Sequence, residues 1–249
     1  MDESKRLFYL DQMGIQAWVS NTQVVEEVQK QHDEALAVTA EPNSITEQEV
    51  LSPKEIKTAA NLEELKKTVA DCTLCELHRS RKQTVFGTGH PAADWLIIGE
   101  APGADEDRLG EPFVGRAGQL LTSMLRAMGL AREEVFIANI LKCRPPNNRD
   151  PQIQEVNHCS TYLRQQIELI QPKIILVLGR IAAQSLLNVD TPIGKLRGQK
   201  FTFQDTEIPV VATYHPAYLL RSPQQKRQSW EDLKFAMQVS SLEKQETTK

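Results

Sequence analysis

No run of apolar residues in this 249-residue chain approaches the roughly 20 needed to span a bilayer, so no membrane partner is expected. The opening MDESKRLFYLDQMG has no apolar core followed by a small-residue cleavage site. Export is therefore not expected, and a cytoplasmic location is. Cysteine is scarce: four in a chain of this length do not build a disulfide scaffold, and without a secretion signal they are candidates for metal ligands or buried thiols. Glycine and proline, at 12 and 13, are ordinary, which excludes collagenous and low-complexity classes. An excess of positive charge is missing too, since the net charge is −4. That balance is uneven, however. Residues 1–60 hold 5 Lys/Arg against 11 Asp/Glu, leaving 24 against 22 in the rest. An acidic leader masks a slightly basic body, and such a body permits a nucleic-acid partner without requiring one.

What is present falls into four stretches. Residues 1–21 carry a short apolar cluster, Arg6 to Trp18, suited to docking on its own domain or on a partner. Residues 22–60 are polar and Glu/Gln-rich without a sustained apolar period, and read as a flexible acidic linker. Residues 61–240 have globular texture, and 241–249 read as a polar tail. Asn61 can cap a helix running through Leu62, Leu65 and Val69 to Cys72.

Four apolar runs (95–98, 135–138, 174–178 and 210–213) have the pattern of buried parallel strands. Helical patterns at about 116–128, 151–170, 180–188 and 225–240 separate or follow them. The alternation predicts a three-layer α/β/α sandwich around a mainly parallel four-stranded sheet. Ligands in such sheets bind at the carboxyl ends of the strands, where most of the notable motifs fall.

Gly99 to Gly103 (GEAPG) follows the first strand and holds Glu100 at its mouth. The acidic residues Asp105, Glu106 and Asp107 come next and would repel phosphate; the Gly-rich phosphate loop ending in Lys and Ser or Thr is absent. Phe113 sits between a Pro and a Val-Gly pair, either as a core plug or as a flat surface on which a base stacks. Asn139 ends the second strand, either as a turn residue or as a donor–acceptor pair matched to one edge of a nucleobase. His215 opens HPAYLLR after the last strand, in the same layer as Glu100 and Asn139, with a structural and a catalytic reading both open. Leu219, Leu220 and Arg221 form an apolar tip followed by a cation: a helix-packing edge, or a wedge entering DNA with Arg on phosphate.

Cys72 and Cys75 form a CxxC pair, Cys143 follows the second strand, and Cys159 lies 16 positions later on a helix. The set fits a four-thiolate site, either structural zinc or a [4Fe–4S] cluster. Scattered single ligands suit paired zinc knuckles poorly and favour iron–sulfur.

Together the ordered motifs CTLC, VFGTG, GEAPGADED, PFVGRAGQLL, IANILKCRPPNNR, Cys159 and HPAYLLR closely resemble the family 4 (type-4) iron–sulfur uracil-DNA glycosylases, from about Leu65 to Gln238. The resemblance implies a uracil-DNA glycosylase fold and hydrolysis of the N-glycosidic bond of deoxyuridine in single- or double-stranded DNA, leaving an abasic site for base excision repair. It also implies roles. Phe113 would stack on a flipped uracil and Asn139 would bond its O4/N3 edge. Glu100, Ala101 and Pro102 would line the pocket, Glu106 would crowd a thymine methyl, and His215 would stabilise charge on O2. Cys72, Cys75, Cys143 and Cys159 would bind [4Fe–4S]. Family 1 enzymes carry an Asp that orients water where Ala101 stands here, so pocket electrostatics with help from Glu100 are expected to carry that step. Residues 6–18 also resemble the N-terminal peptide of the psi subunit of bacterial clamp loaders, which implies a replicative tether. A monomer is expected. A non-enzymatic metal-bearing DNA-binding protein would not need Glu100, Phe113, Asn139 and His215 together. A nucleotide hydrolase would want a cationic phosphate loop, and a glycosylase of altered base range is the nearest competitor.

Overall fold

The computed structural model describes residues 58–246 except Asp205. The apolar peptide, the linker up to residue 57, the clamp-loader resemblance at 6–18 and residues 247–249 lie outside the described residues. The first helix, α1 (Leu62–Ala70), is capped as its sequence predicts: Asn61 Oδ1 accepts from the Glu64 amide at 2.9 Å. It stops short of the expected Cys72, because Asp71 caps it and leaves Cys72 in the loop that leads to Cys75.

The sheet is built on four parallel strands: β2 (Trp95–Gly99), β3 (Phe136–Asn139), β4 (Ile174–Leu178) and β6 (Pro209–Thr213). Two short antiparallel strands, β1 (Thr88–Gly89) and β5 (Lys200–Thr202), close its edges, giving the order β1-β3-β2-β4-β6-β5. The expected four strands are thus the core of a six-stranded sheet. Elements of two and three residues carry no readable period, which is why the sequence pattern passes over them. Their effect is to cover the open edges of β3 and β6.

Every residue of the four central strands is buried, so up to the terminal Asn139 and Thr213 their sequences are runs without polar alternation. Leu96, Ile98, Ile175 and Val177 face one core. That core is filled by α1, α4 (Ile153–Ile170) and α5 (Arg180–Leu187). Ile97, Ile137, Leu176 and Val211 face the other. This second core is filled by α3 (Arg116–Ala127), α7 (Pro216–Arg221) and α8 (Lys226–Glu246). Two shorter helices, α2 (Ala104–Leu109) and α6 (Ile193–Leu196), lie in the connections. The α/β/α layering is as the alternation of patterns predicts. Helix α8 runs to Glu246, past the expected end of the domain at 240. Among the described residues no helix is long and apolar enough to cross a membrane.

Candidate active site

The carboxyl ends of β2 and β3 are locked side by side beyond the strands themselves. The Ile140 amide donates to Gly99 O at 2.9 Å and the Leu141 amide to Glu100 O at 3.0 Å. On the other side of β2, the Gly179 amide donates to Thr213 O at 2.8 Å, joining the ends of β4 and β6. Glu100, Asn139 and His215 therefore emerge along one rim, as the motif positions predict.

Asn139 is buried, and its side-chain Oδ1 has no hydrogen-bond partner within the protein. An acceptor shielded from water and left unpaired costs about 1–3 kcal/mol, so its retention points to a donor that arrives from outside. Its backbone is held on the opposite side: the buried Lys142 ammonium donates to Asn139 O at 2.8 Å and to Gln166 Oε1 at 2.6 Å.

His215 caps α7, and its Nδ1 accepts from the Ala217 amide at 3.1 Å. A nitrogen that accepts carries no proton, so the neutral ring keeps its hydrogen on Nε2 as a donor. Burial, helped by the nearby Arg221 charge, lowers its pKa to about 4. The close approach of β4 is possible because residue 179 is Gly: with φ of +93°, a Cβ there would stand 2.9 Å from His215 Cβ.

Phe113 lies in the loop between α2 and α3 with φ of 54°, a left-handed conformation unusual for a bulky residue. Its ring is 5.5 Å from that of His215, tilted by 32°. The ring is buried, as the core-plug reading expects, and it borders the same rim through His215. Glu106, in the first turn of α2, is wholly engaged by the backbone. Oε2 accepts from the Gly103 amide at 3.1 Å, and Oε1 accepts from Val114 and Gly115 at 2.9 and 3.1 Å. Ala101 and Pro102 continue the same turn, half-buried and buried. Burial, with the Asp150 charge adding to it, raises the Glu100 carboxyl to about 7.

The expected surface wedge needs correction. Leu219 is 1 % exposed and packs into the second core, whereas Leu220 is 36 % exposed. On a single helical turn at this edge, one leucine must face the sheet. Only Leu220 and the exposed Arg221 are offered to a partner.

All four cysteines are free thiols and line one pocket with Arg81 and Lys142. Arg81 Nη1 donates to Cys143 Sγ at 3.2 Å. Burial raises the pKa of Cys75 and Cys143, and pushes Cys159 to about 12. Among the described residues, no group of three or more His, Cys, Asp or Glu is arranged to hold a single metal ion.

Comparison with known proteins decides the family. Residues 86–234 match the uracil DNA glycosylase superfamily. The chain is 44% identical over 180 residues to the type-4 uracil-DNA glycosylase of Archaeoglobus fulgidus, covering 70% of this chain and 90% of that one. It is 45% identical over 188 residues to that of Saccharolobus solfataricus, covering 73% and 87%. Against that of Sulfurisphaera tokodaii the identity is 42% over 194 residues, covering 75% and 88%.

The chain belongs to the type-4 uracil-DNA glycosylases.

Within this type-4 chain the structure adds residues that the motifs do not single out. Arg132 donates to Pro112 O at 2.6 Å and to Phe113 O at 3.1 Å, from outside every motif. Lys142 lies inside a motif, but nothing in its sequence reveals that it is fully buried behind Asn139. Gly179, immediately after a predicted strand, had the one available signal: glycine at a strand-to-helix turn.

Proposed function

We propose that this type-4 enzyme removes uracil from DNA by hydrolysing the bond between uracil N1 and the deoxyribose, within base excision repair. A base in a duplex is out of reach, so the nucleotide must swing out of the stack into the pocket. The observation that carries the reading is the orphaned Oδ1 of Asn139. Uracil presents an N3–H donor beside the O4 acceptor, and one amide side chain satisfies both. Cytosine presents an acceptor at N3 and an amine at position 4, and so fails on both counts. Phe113 supplies the stacking face.

As the bond to the sugar breaks, its electron pair passes to the departing base and accumulates on O2. The Nε2–H of a neutral His215 is the donor aimed at that charge, and such donors typically lower the barrier by about 3–4 kcal/mol. Water adds to the sugar carbon. Glu100, with its pKa near 7, is suited to take the proton of that water, since Ala101 has no side chain able to do so. Glu106, immobilised by three amides, is the candidate for excluding a 5-methyl group. Leu220 and Arg221 are suited to support an opened stack and its phosphate, in single- or double-stranded DNA.

Cys72, Cys75, Cys143 and Cys159 would hold a [4Fe–4S] cluster. The donor set fits: four thiols in one pocket beside the Arg81 guanidinium suit an anionic, thiolate-bound centre. When bound, it would tie the loop after α1 to the segment following Asn139.

The test is single-turnover release of base from oligonucleotides carrying one uracil, read by alkaline scission. Wild-type protein is expected to release uracil, and Asn139→Ala and His215→Ala each to lose most of the rate. Near-wild-type rates in both variants would overturn the assignment.

A further inference from the structure

The left-handed backbone of Phe113 is held from both sides by charged groups. The carbonyls of Pro112 and Phe113 point to Arg132 Nη2, at 2.6 and 3.1 Å. The amides of Val114 and Gly115, which follow, point to Glu106 Oε1, at 2.9 and 3.1 Å. The guanidinium is itself anchored to α3, where Arg132 Nη1 donates to Thr122 Oγ1 at 3.2 Å. Thr122 in turn donates to Gly118 O at 3.1 Å. At Gly118 the helix backbone comes so near that any Cβ would overlap Phe113 O. A non-glycine residue in this conformation costs on the order of 1–3 kcal/mol and persists only where its surroundings over-determine it. Two side chains do so here through four hydrogen bonds to the main chain, with Gly118 packed against Phe113 O, leaving the ring to face His215.

We propose that Arg132 is a positioning residue for base excision: with Glu106 it clamps the backbone on either side of Phe113 and so fixes the height and tilt of the ring on which the flipped base rests. The inference builds on the reading of Phe113 as the stacking face. Arg132 touches neither base nor sugar. Its planar fork sets Nη2 on two successive carbonyls while Nη1 holds Thr122 Oγ1, a span that the single nitrogen of a lysine does not reproduce. Displacing a reacting partner by about 1 Å can cost on the order of 100-fold in rate, so a loosened platform acts on chemistry rather than on DNA capture.

The test is a double-mutant cycle in the full-length protein, comparing wild type, Phe113→Ala, Arg132→Met and the combined variant. Single-turnover kcat and KM on a uracil-containing oligonucleotide are measured with Tm alongside. Arg132→Met is expected to lower kcat by about 10- to 100-fold with KM nearly unchanged, and to have little further effect once Phe113 is Ala. Arg132→Lys is expected to recover part of the rate and guards against a Met variant that does not fold. An equal fractional loss in both backgrounds, or full rate in Arg132→Lys together with Arg132→Met, would overturn the clamp. If Phe113→Ala itself keeps full rate, the stacking reading fails instead.

Discussion

Asn139 and Phe113 meet across the end of β2. A Cβ built on Gly99 would overlap Asn139 Oδ1 and stand 2.5 Å from Phe113 Cζ. The amide and the ring are thus both held over a residue without a side chain. Gly99→Ala is expected to push one of them aside and reduce uracil release by about 100-fold. Comparing kcat with the melting temperature checks this. Because φ at Gly99 is not in the left-handed region, the loss should come from the pocket and not from backbone strain.

Asn139→Leu separates function from stability. The substitution keeps approximate volume and removes a buried acceptor that the fold leaves unpaired. Stability is expected to hold or to rise by up to about 1–3 kcal/mol. Uracil release should fall by at least about 10²–10³. Denaturant titration alongside single-turnover assays reads both.

The pH profile distinguishes Glu100 from His215. With its carboxyl raised to about 7, Glu100 is protonated below that value and unable to take a proton, so the rate is expected to fall as pH drops through 7. Glu100→Gln should be slower and flat over that range. His215, lowered to about 4, stays neutral throughout, so no limb near its ordinary 6.5 should appear.

The same shift has a consequence for stability. The unfolded chain loses the Glu100 proton near 4.5 while the folded protein keeps it to about 7. Folding is therefore weakened progressively between those values and by a constant amount above them. Glu100→Gln is expected to raise Tm at pH 8 and leave it unchanged at pH 4, as calorimetry at the two values would reveal.

Each Cys→Ala change at 72, 75, 143 or 159 is expected to lower the iron content of anaerobically purified protein from about four atoms per chain. The same changes should bleach its brown colour and lower Tm. Asn139→Ala and His215→Ala should keep the colour. Iron analysis and visible absorption decide this.

Much of this site was legible in the sequence because its parts sit where the chain leaves buried strands. Gly99, Asn139 and the Thr213–His215 step each follow an apolar run, and strand ends in an α/β sheet share a rim. The edge strands Thr88–Gly89 and Lys200–Thr202 were not legible, being too short to carry a period. Leu219 and Leu220 differ by 100° around one helix, and composition does not say which of them faces the core. Arg132 was invisible for a different reason. Its partners in the Phe113 loop are backbone carbonyls, which leave no residue-type signature in the sequence.

The most direct test is base release from matched oligonucleotides carrying uracil, thymine, cytosine or hypoxanthine, with wild type and Asn139→Leu side by side. Scission confined to uracil, and lost in Asn139→Leu, is the expected result. Comparable release of hypoxanthine or cytosine by the wild type, or uracil release undiminished in Asn139→Leu, would contradict the assignment of Asn139 as the residue that reads the base.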